Sequence, residues 1–248
     1  MKKALTIIML ILPWRNSGWA QSSNNSKFKF GISFSPYSCY RRLNYQDINR
    51  WLNDILNNEE ISKYGFSAGL AVQYRISRKI RIESGIQYSD QGEKTIKIPL
   101  TWITPNQSYP VNSYDVIHYQ FIGIPLIFDY CIPQNKMTYF FSGGFSGSVF
   151  LNKRTTVISE YEDGHKTKTS SNKDIGYATF NLAAVIGLGA SYDLSKRLTI
   201  QLQPIFIQSL NSIIVDKNAK VYLYSIGVNF GLLYSFKNAS TATLTDDR

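Results

Sequence analysis

From residue 27 onward, apolar and polar residues alternate along the chain with a period of two. Such alternation predicts β-strands whose two faces differ in chemistry. We predict eight strands, each about ten residues or longer, which is the length that a tilted strand needs to cross a bilayer. They lie near residues 27–37, 63–77, 79–90, 115–131, 137–152, 175–194, 197–209 and 220–236.

The last of these strands shows the contrast between the two faces most clearly. One face has aliphatic residues at its centre and aromatic residues towards its ends: Tyr222, Tyr224, Ile226, Val228, Phe230, Leu232, Tyr234 and Phe236. The other face is mostly small or polar, as at Gly227 and Asn229. A soluble barrel would turn Lys, Glu and Thr to water, whereas small residues suit the crowded inside of a narrow barrel. The apolar face is therefore expected to point into lipid.

The connections between the predicted strands alternate between short and long. Those at 77–79, 131–136 and 195–197 are short, and those at 38–62, 91–114, 153–174 and 210–219 are long. This rhythm is typical of outer membrane barrels. The sequence therefore predicts an all-β, eight-stranded antiparallel up-and-down transmembrane β-barrel in the bacterial outer membrane. A soluble lipocalin-like barrel, with Phe230, Leu188 and Leu70 in a central core, is the alternative.

The N-terminus has the pattern of a secretory signal peptide. Lys2 and Lys3 precede the apolar stretch 4–13, and small residues at Gly18 and Ala20 suit cleavage after Ala20. A buried N-terminal helix is the alternative. The expected division is a signal peptide at 1–20, a polar spacer at 21–26, the barrel at 27–236 and a polar tail at 237–248.

Two of the long loops carry patterns of their own. In the first, apolar residues recur at helical spacing: Tyr45, Ile48, Trp51, Leu52, Ile55 and Leu56. They predict either a short amphipathic helix on the barrel rim or a loop with a small hydrophobic cluster. In the third, Asp163-Gly164 is a hairpin signal, so strands five and six are expected to continue beyond the membrane as a ribbon.

Composition and charge narrow the classes of partner. Charged residues make up 18% of the chain, less than the quarter or so that is usual in soluble domains. The net charge is +10, but the basic residues are scattered and form no stripe with stacking aromatics, so no nucleic-acid partner is expected. Outer-membrane lipid is an expected partner, and so is a protein bound through the long loops.

Several polar residues fall on the predicted inner face, towards the short turns. They are Arg75, Arg81, Glu83, Asp129 and Asp193, together with Gln73, Gln87, Gln201 and Gln203. Buried charges need partners, so we predict a salt-bridged structural network that plugs the lumen. Eight strands enclose only enough room for side chains, and a passive pore is not expected.

No catalytic, cofactor-binding or metal-binding residues are predicted. His118 and His165 are far apart and have no Cys/His metal spacing. Ser146 lies in Gly-Phe-Ser-Gly, which lacks the spacing of a nucleophile elbow. Cys39 and Cys131 fall at opposite ends of the predicted barrel and are expected to be unpaired.

Several segments resemble PorT-like outer membrane β-barrel proteins of the Bacteroidota. These are Tyr119 to Tyr130 with its Ile-Pro-Leu element, Tyr139 to Val149, Ile186 to Tyr192, and Ser225 to Phe236. The polar tail after Phe236 departs from barrels that end on an aromatic residue. The resemblance implies an outer membrane barrel, with some members serving as accessory proteins of a secretion system, and it carries no catalytic residues.

The sequence thus favours an integral outer membrane barrel with a structural, interaction or secretion-accessory role carried by its long extracellular loops. A small-molecule channel or carrier is one alternative. An outer-membrane lipid-modifying enzyme that uses Ser146 and His118 is the other.

Overall fold

The computed structural model describes residues 27–45, 60–103, 108–172, 176–216 and 218–236. Ten β-strands occupy these segments. They are β1 Phe28–Tyr45, β2 Glu60–Arg75, β3 Ile80–Thr95, β4 Ile98–Pro99, β5 Asn112–Gln134, β6 Met137–Glu160, β7 Lys166–Asn172, β8 Phe180–Asp193, β9 Leu198–Ser209 and β10 Ala219–Tyr234.

Eight of the strands close into an antiparallel ring. Going round it, β1, β2, β3, β5, β6, β8, β9 and β10 each pair with the next strand, and β10 pairs with β1. The closing ladder runs from Phe30 opposite Tyr234 to Tyr45 opposite Ala219. Apart from the short strands β4 and β7, strands adjacent in sequence are adjacent in the ring. The predicted eight-stranded up-and-down barrel is confirmed.

Three short connections define one end of the barrel, which we call the turn end; the opposite end is the loop end. Two of the turns are built alike, because Ser77 and Ser195 each accept hydrogen bonds from backbone N–H groups two and three residues later, at 3.1–3.2 Å. Such serine turns explain why Ser-Arg-Lys and Ser-Lys-Arg join the strands so tightly. The third turn has Asn135 at a φ of 54°, a left-handed conformation that Asn tolerates.

The two faces of the wall have the predicted chemistry. Leu70, Leu188 and Phe230 point outward and are 63%, 55% and 48% exposed, so they do not form a central core. The inner face is crowded. At Gly69, for example, a Cβ atom would lie 2.1 Å from the carbonyl oxygen of Ile86 on the next strand. The large apolar residues at the middle of the wall therefore face away from the cylinder, as the alternation predicted.

The strands at the loop end continue further than their apolar alternation indicated. β1 reaches Tyr45 and β3 reaches Thr95, where the sequence placed strand ends at 37 and 90. β6 reaches Glu160, in agreement with its predicted continuation beyond 152. Beyond residue 37 in β1 and residue 90 in β3 the regular alternation of apolar and polar residues fades, while the backbone pairing continues. Tyr45 ends β1, and the other residues of the predicted rim helix, in 46–59, lie outside the described residues.

The predicted ribbon is present, with one difference. β6 pairs with β7 from Arg154 opposite Asn172 to Glu160 opposite Lys166. The turn between them contains Gly164 at a φ of 82°. The second arm of the ribbon is a separate strand, because β8 begins only at Phe180. We call β6 from Arg154 together with β7 the ribbon. No helix in the described part of the chain is long and apolar enough to cross a membrane.

An outward residue at mid-wall offers a direct test of the lipid-facing surface. Replacing Leu188 with Arg should lower the free energy of unfolding by about 2–4 kcal/mol, because a charge near the bilayer midplane is costly. The same replacement at Leu194, in a turn-end connection, should cost about 0–1 kcal/mol. Urea unfolding from lipid vesicles measures both, and equal effects would contradict the outward orientation.

Candidate functional site

The inside of the barrel at the turn end is filled by a network of polar side chains. Its centre is a triangle in which Gln73 donates to Glu83 at 2.6 Å and to Gln201 at 2.8 Å. Gln201 in turn donates to Gln203 at 3.3 Å. The network crosses the lumen, since β2 and β3 supply two members and β9 supplies the other two. All four residues are buried, so their hydrogen bonds are made to one another rather than to bulk water.

Two ion pairs flank this triangle. Arg81 donates through Nε to Asp129 at 2.7 Å, and the Ser142 hydroxyl donates to the other oxygen of Asp129 at 2.5 Å. The Arg81 guanidinium also lies over the ring of Phe140, 4.5 Å from its centroid. Both charges are shielded from solvent, with side-chain exposures of 10% and 2%. Such a pair persists only when each charge has its partner.

The second pair lies nearer the rim of the turn end. Lys29 contacts Asp193 at 3.2 Å and donates to the Thr199 hydroxyl at 2.6 Å. Thr199 donates to Asp193 at 2.5 Å. We call these two ion pairs and the central glutamine–glutamate contacts the polar network.

The structure therefore brings together most of the residues that the inner-face pattern selected. Arg81, Glu83, Asp129, Asp193, Gln73, Gln201 and Gln203 take part in the polar network. Gln87 lies further along the lumen and donates to Ser33 at 3.4 Å. Arg75, at the last position of β2, is exposed at the rim. Lys29, Ser142 and Thr199 were not among the residues predicted for the network, although the alternation along their strands places all three on the inner face.

The loop end is closed by a different kind of packing. Leu43, Tyr119, Phe121, Ile213, Val221 and Leu223 form a buried apolar cluster. Since β5 lies across the ring from β1 and β10, these side chains meet inside the lumen. Five of them come from strands, and Ile213 comes from the connection between β9 and β10. We call this set the apolar cluster.

Backbone hydrogen bonds hold Ile213 in place. Its N–H donates to Val221 and its carbonyl accepts from Ala178, both at 2.9 Å. Val215 donates to Gly176 at 2.9 Å. The connection between β9 and β10 is thus tied to the segment before β8, and Ile213 is 1% exposed. No pattern in the sequence predicted that the connection between β9 and β10 folds into the barrel, because this segment is short and its apolar and polar residues do not alternate.

Charged side chains surround the apolar cluster at the loop end. Arg41 lies 3.4 Å from Glu93, which also accepts a hydrogen bond from Tyr119 at 3.0 Å. In a second group of charged residues nearby, the Asp90 carboxylate accepts a hydrogen bond from Lys63 at 2.5 Å. It also contacts the Nδ1 atom of His118 at 2.9 Å. These contacts join β1, β2, β3 and β5 just where the strands leave the apolar band.

The tip of the ribbon, next to the turn that joins its two arms, is clamped by an ion triplet. The Glu160 carboxylate lies 2.6 Å from both Lys97 and Lys166. Hydrogen bonds from Lys166 and Lys97 hold the pKa of Glu160 below its usual range, and the carboxylate in turn raises the pKa of Lys166. The triplet joins the segment before β4 to both arms of the ribbon.

The sequence of this chain matches a known family over most of its length. Residues 19–215 match the family described as "Outer membrane protein beta-barrel domain". The chain belongs to this family. It is accordingly a protein of the bacterial outer membrane, and β10, which follows the matched range, is the strand that completes the ring.

Several solved barrels resemble this outer membrane protein at low sequence identity. Neisserial surface protein A is 14% identical with a TM-score of 0.42, over 85% of this chain and 98% of that one. The attachment invasion locus protein Ail of Yersinia pestis is 9% identical with a TM-score of 0.33, over 83% and 99%. OprG of Pseudomonas aeruginosa is 10% identical with a TM-score of 0.38, over 83% and 95%. No curated protein sequence matches the chain significantly.

Ser146 and His118, the two residues of the alternative in which the protein is a lipid-modifying enzyme, lie far apart in the barrel. Ser146 pairs with Pro125, whereas His118 pairs with Arg154. The two positions therefore lie seven residues apart along β5 and eight along β6, or roughly 25 Å. Cys39 and Cys131 are both buried and free. In the described segments no group of three or more His, Cys, Asp or Glu side chains could hold a metal ion.

The buried pair between Arg81 and Asp129 can be tested by removing one charge. Asp129→Ala should destabilise the barrel by about 3–5 kcal/mol, because Arg81 is left with an uncompensated buried charge. The double variant Arg81→Met, Asp129→Leu removes both charges and should recover most of that loss. Urea unfolding in lipid vesicles gives both values, and a single variant as stable as the wild type would refute the pairing.

Proposed function

We propose that this protein is a non-conducting outer membrane barrel that acts as an interaction or secretion-accessory protein through its loop end. The observation that carries the proposal is the double closure of the lumen, by the polar network at one end and the apolar cluster at the other. A wall of eight strands already leaves little internal space. Other molecules would then bind to the outer surfaces of the barrel.

The proposed orientation places the loop end outside the cell. It rests on the proposed signal peptide at 1–20, which would deliver the N-terminus to the periplasm. β1 begins at the turn end, where Phe28 pairs with Tyr74, so the turn end would be periplasmic. Long loops outside and short turns inside are the usual plan of such barrels.

The ribbon is the part of the loop end best suited to bind a partner. Among the described strands β7 pairs only with β6, which leaves one edge of β7 with unpaired backbone groups. Such an edge can accept an extended segment of another protein by strand addition. Lys166 and Lys168 on this strand limit unspecific pairing, as charged residues do on exposed edges. The glutamate–lysine triplet at Glu160 holds the ribbon in position.

The finer assignment to the PorT-like proteins is part of this proposal. It is supported by the Ile-Pro-Leu element at 124–126 and by the Gly-rich strands, and it favours an accessory role in secretion over a purely structural one. A channel or carrier is less well supported, because both ends of the lumen are filled. A hydrolase is less well supported, because the ladder keeps Ser146 and His118 apart.

Planar bilayers test the closure of the lumen. The wild-type barrel should show no stepwise conductance. A variant in which the connection that carries Ile213 is shortened should also show no conductance, because the polar network still closes the turn end. A variant that also carries Gln73→Ala, Glu83→Ala and Gln201→Ala should conduct. Steady conductance from the wild type would reject the non-conducting barrel and favour the channel.

Removing the ribbon tests the proposed interaction role. Replacing residues 156–170 by Asn-Gly should abolish the capture or secretion of the partner protein, because the free edge of β7 is lost. The barrel should still fold and shift in gel mobility on heating. Comparison of secreted and surface-crosslinked proteins from cells with either form is the measurement.

Deletion of the tail at 237–248 is the control for the ribbon variant, since the proposed orientation places it on the other side of the membrane. That deletion should leave partner capture unchanged. Unaltered secretion and crosslinking in the ribbon variant would reject the proposed role of the loop end.

A further inference from the structure

The outer wall around β9 and β10 carries a polar depression that the proposed function does not use. It has a volume of about 350 Å³ and lies at the loop end. Its lining comes from β1, β9 and β10 and includes Arg42, Asn44, Gln208, Ser209, Tyr222 and Tyr224. We call it the head-group pocket. The Ser209 side chain is buried on the inner face of β9, whereas each of the other five can donate a hydrogen bond and none is acidic.

The charge of the pocket is positive. Arg42 makes no ion pair with any carboxylate among the described residues. Lys220 lies opposite Asn44 in the β1–β10 ladder and brings a second cation to the same stretch of wall. A guanidinium with free N–H groups matches the geometry of phosphate oxygens. The pocket therefore favours an anion with several oxygen atoms.

The level of the pocket matches that of lipid head groups. Tyr40 and Tyr224 stack on the outer face with ring centroids 5.2 Å apart and an interplanar angle of 8°. Tyrosines in this position mark the interface between hydrocarbon and head groups. Arg42 is the next outward residue of β1 beyond Tyr40, so its guanidinium lies at the depth where lipid phosphates are found.

A second, apolar depression lies lower on the same wall. It has a volume of about 540 Å³ and is lined on the outer face by Phe141, Ile186, Leu188, Pro204 and Ile226. We call it the acyl groove. The wall is indented there because the β8–β9 ladder is interrupted between Gly187 opposite Ile205 and Ala190 opposite Leu202. Pro204, inside that gap, has no N–H to donate.

The two depressions are aligned along the strands. Ile226 in the acyl groove is two residues from Tyr224 in the head-group pocket, about 7 Å along β10. Pro204 is four residues from Gln208, about 14 Å along β9. A single lipid molecule with its phosphate at the interface and a chain running into the bilayer spans this separation. A free phosphate would fill only the upper site.

We propose that the β9–β10 wall binds one anionic phospholipid, whose phosphate is not neutralised by a cationic head group, in the leaflet at the loop end. The phosphate accepts hydrogen bonds from Arg42 and its polar neighbours, and one acyl chain occupies the acyl groove. A basic, tyrosine-lined site at head-group level is a known means of recognising anionic lipids. The inference uses no residue of the ribbon or the lumen, so its failure would not affect the proposed function.

Native mass spectrometry of the delipidated, folded protein in detergent tests the site. The probes are dipalmitoyl phosphatidic acid, dipalmitoyl phosphatidylcholine and inorganic phosphate. The wild type should retain phosphatidic acid about tenfold better than phosphatidylcholine, the factor expected for one charge-assisted contact. Arg42→Gln should abolish this preference. Arg154→Gln, which removes an exposed arginine on the ribbon, is the matched control and should keep it.

A second variant separates the acyl groove from the head-group pocket. Leu188→Trp fills the groove and should weaken retention of both lipids by a similar factor while the preference for phosphatidic acid remains. Gel mobility with and without heating confirms that each variant is folded. If Arg42→Gln does not fold, the comparison of the two lipids on the wild type still decides.

Three results would overturn the proposal. One is equal retention of the two lipids by the wild type. Another is a loss in Arg154→Gln as large as that in Arg42→Gln, which would indicate unspecific attraction to positive charge. The third is displacement of phosphatidic acid by inorganic phosphate at equal concentration, which would make the pocket a site for free anions and not for a lipid.

Discussion

The pairing of β1 with β10 is the interaction on which the rest of the barrel depends. Hydrocarbon offers no partner for a backbone N–H or carbonyl group, so a sheet can lie in a membrane only if it has no open edge. The ladder between the first and last strands removes both edges at once. It joins segments from the two ends of the chain, and the apolar outer surface becomes stable only when this closure is complete.

Closure of so few strands also determines the interior. The ring is narrow enough that Gly69 cannot be replaced by a larger residue without meeting the neighbouring backbone. Polar side chains that point inward are shielded from bulk water and hydrogen-bond mainly to one another. At the turn end they do so through Gln73, Glu83 and Gln201. At the loop end apolar side chains around Ile213 exclude water instead.

Both proposals for this protein concern its outer surfaces, because side chains fill the interior at each end of the barrel. The ribbon and the extended strands β3, β5 and β6 rise beyond the apolar band at the loop end, where a protein partner can reach them. The wall itself is uneven, with Pro204 at an interruption of the β8–β9 ladder and the exposed Arg42 two residues beyond Tyr40 on β1. The proposed lipid site on this surface is thus separate from the proposed partner site on the ribbon.

The sequence by itself determined the architecture, because alternation with a period of two and the rhythm of short and long connections are local properties. It also identified most of the polar network, since residues two apart on a strand share a face. Only the tertiary structure decided which of them meet. Lys29 and Asp193 are 164 residues apart, and their contact depends on the register of strands around the closed ring. The position of Ile213 inside the loop end likewise depends on backbone hydrogen bonds to distant segments. Such bonds produce no periodic pattern in the sequence.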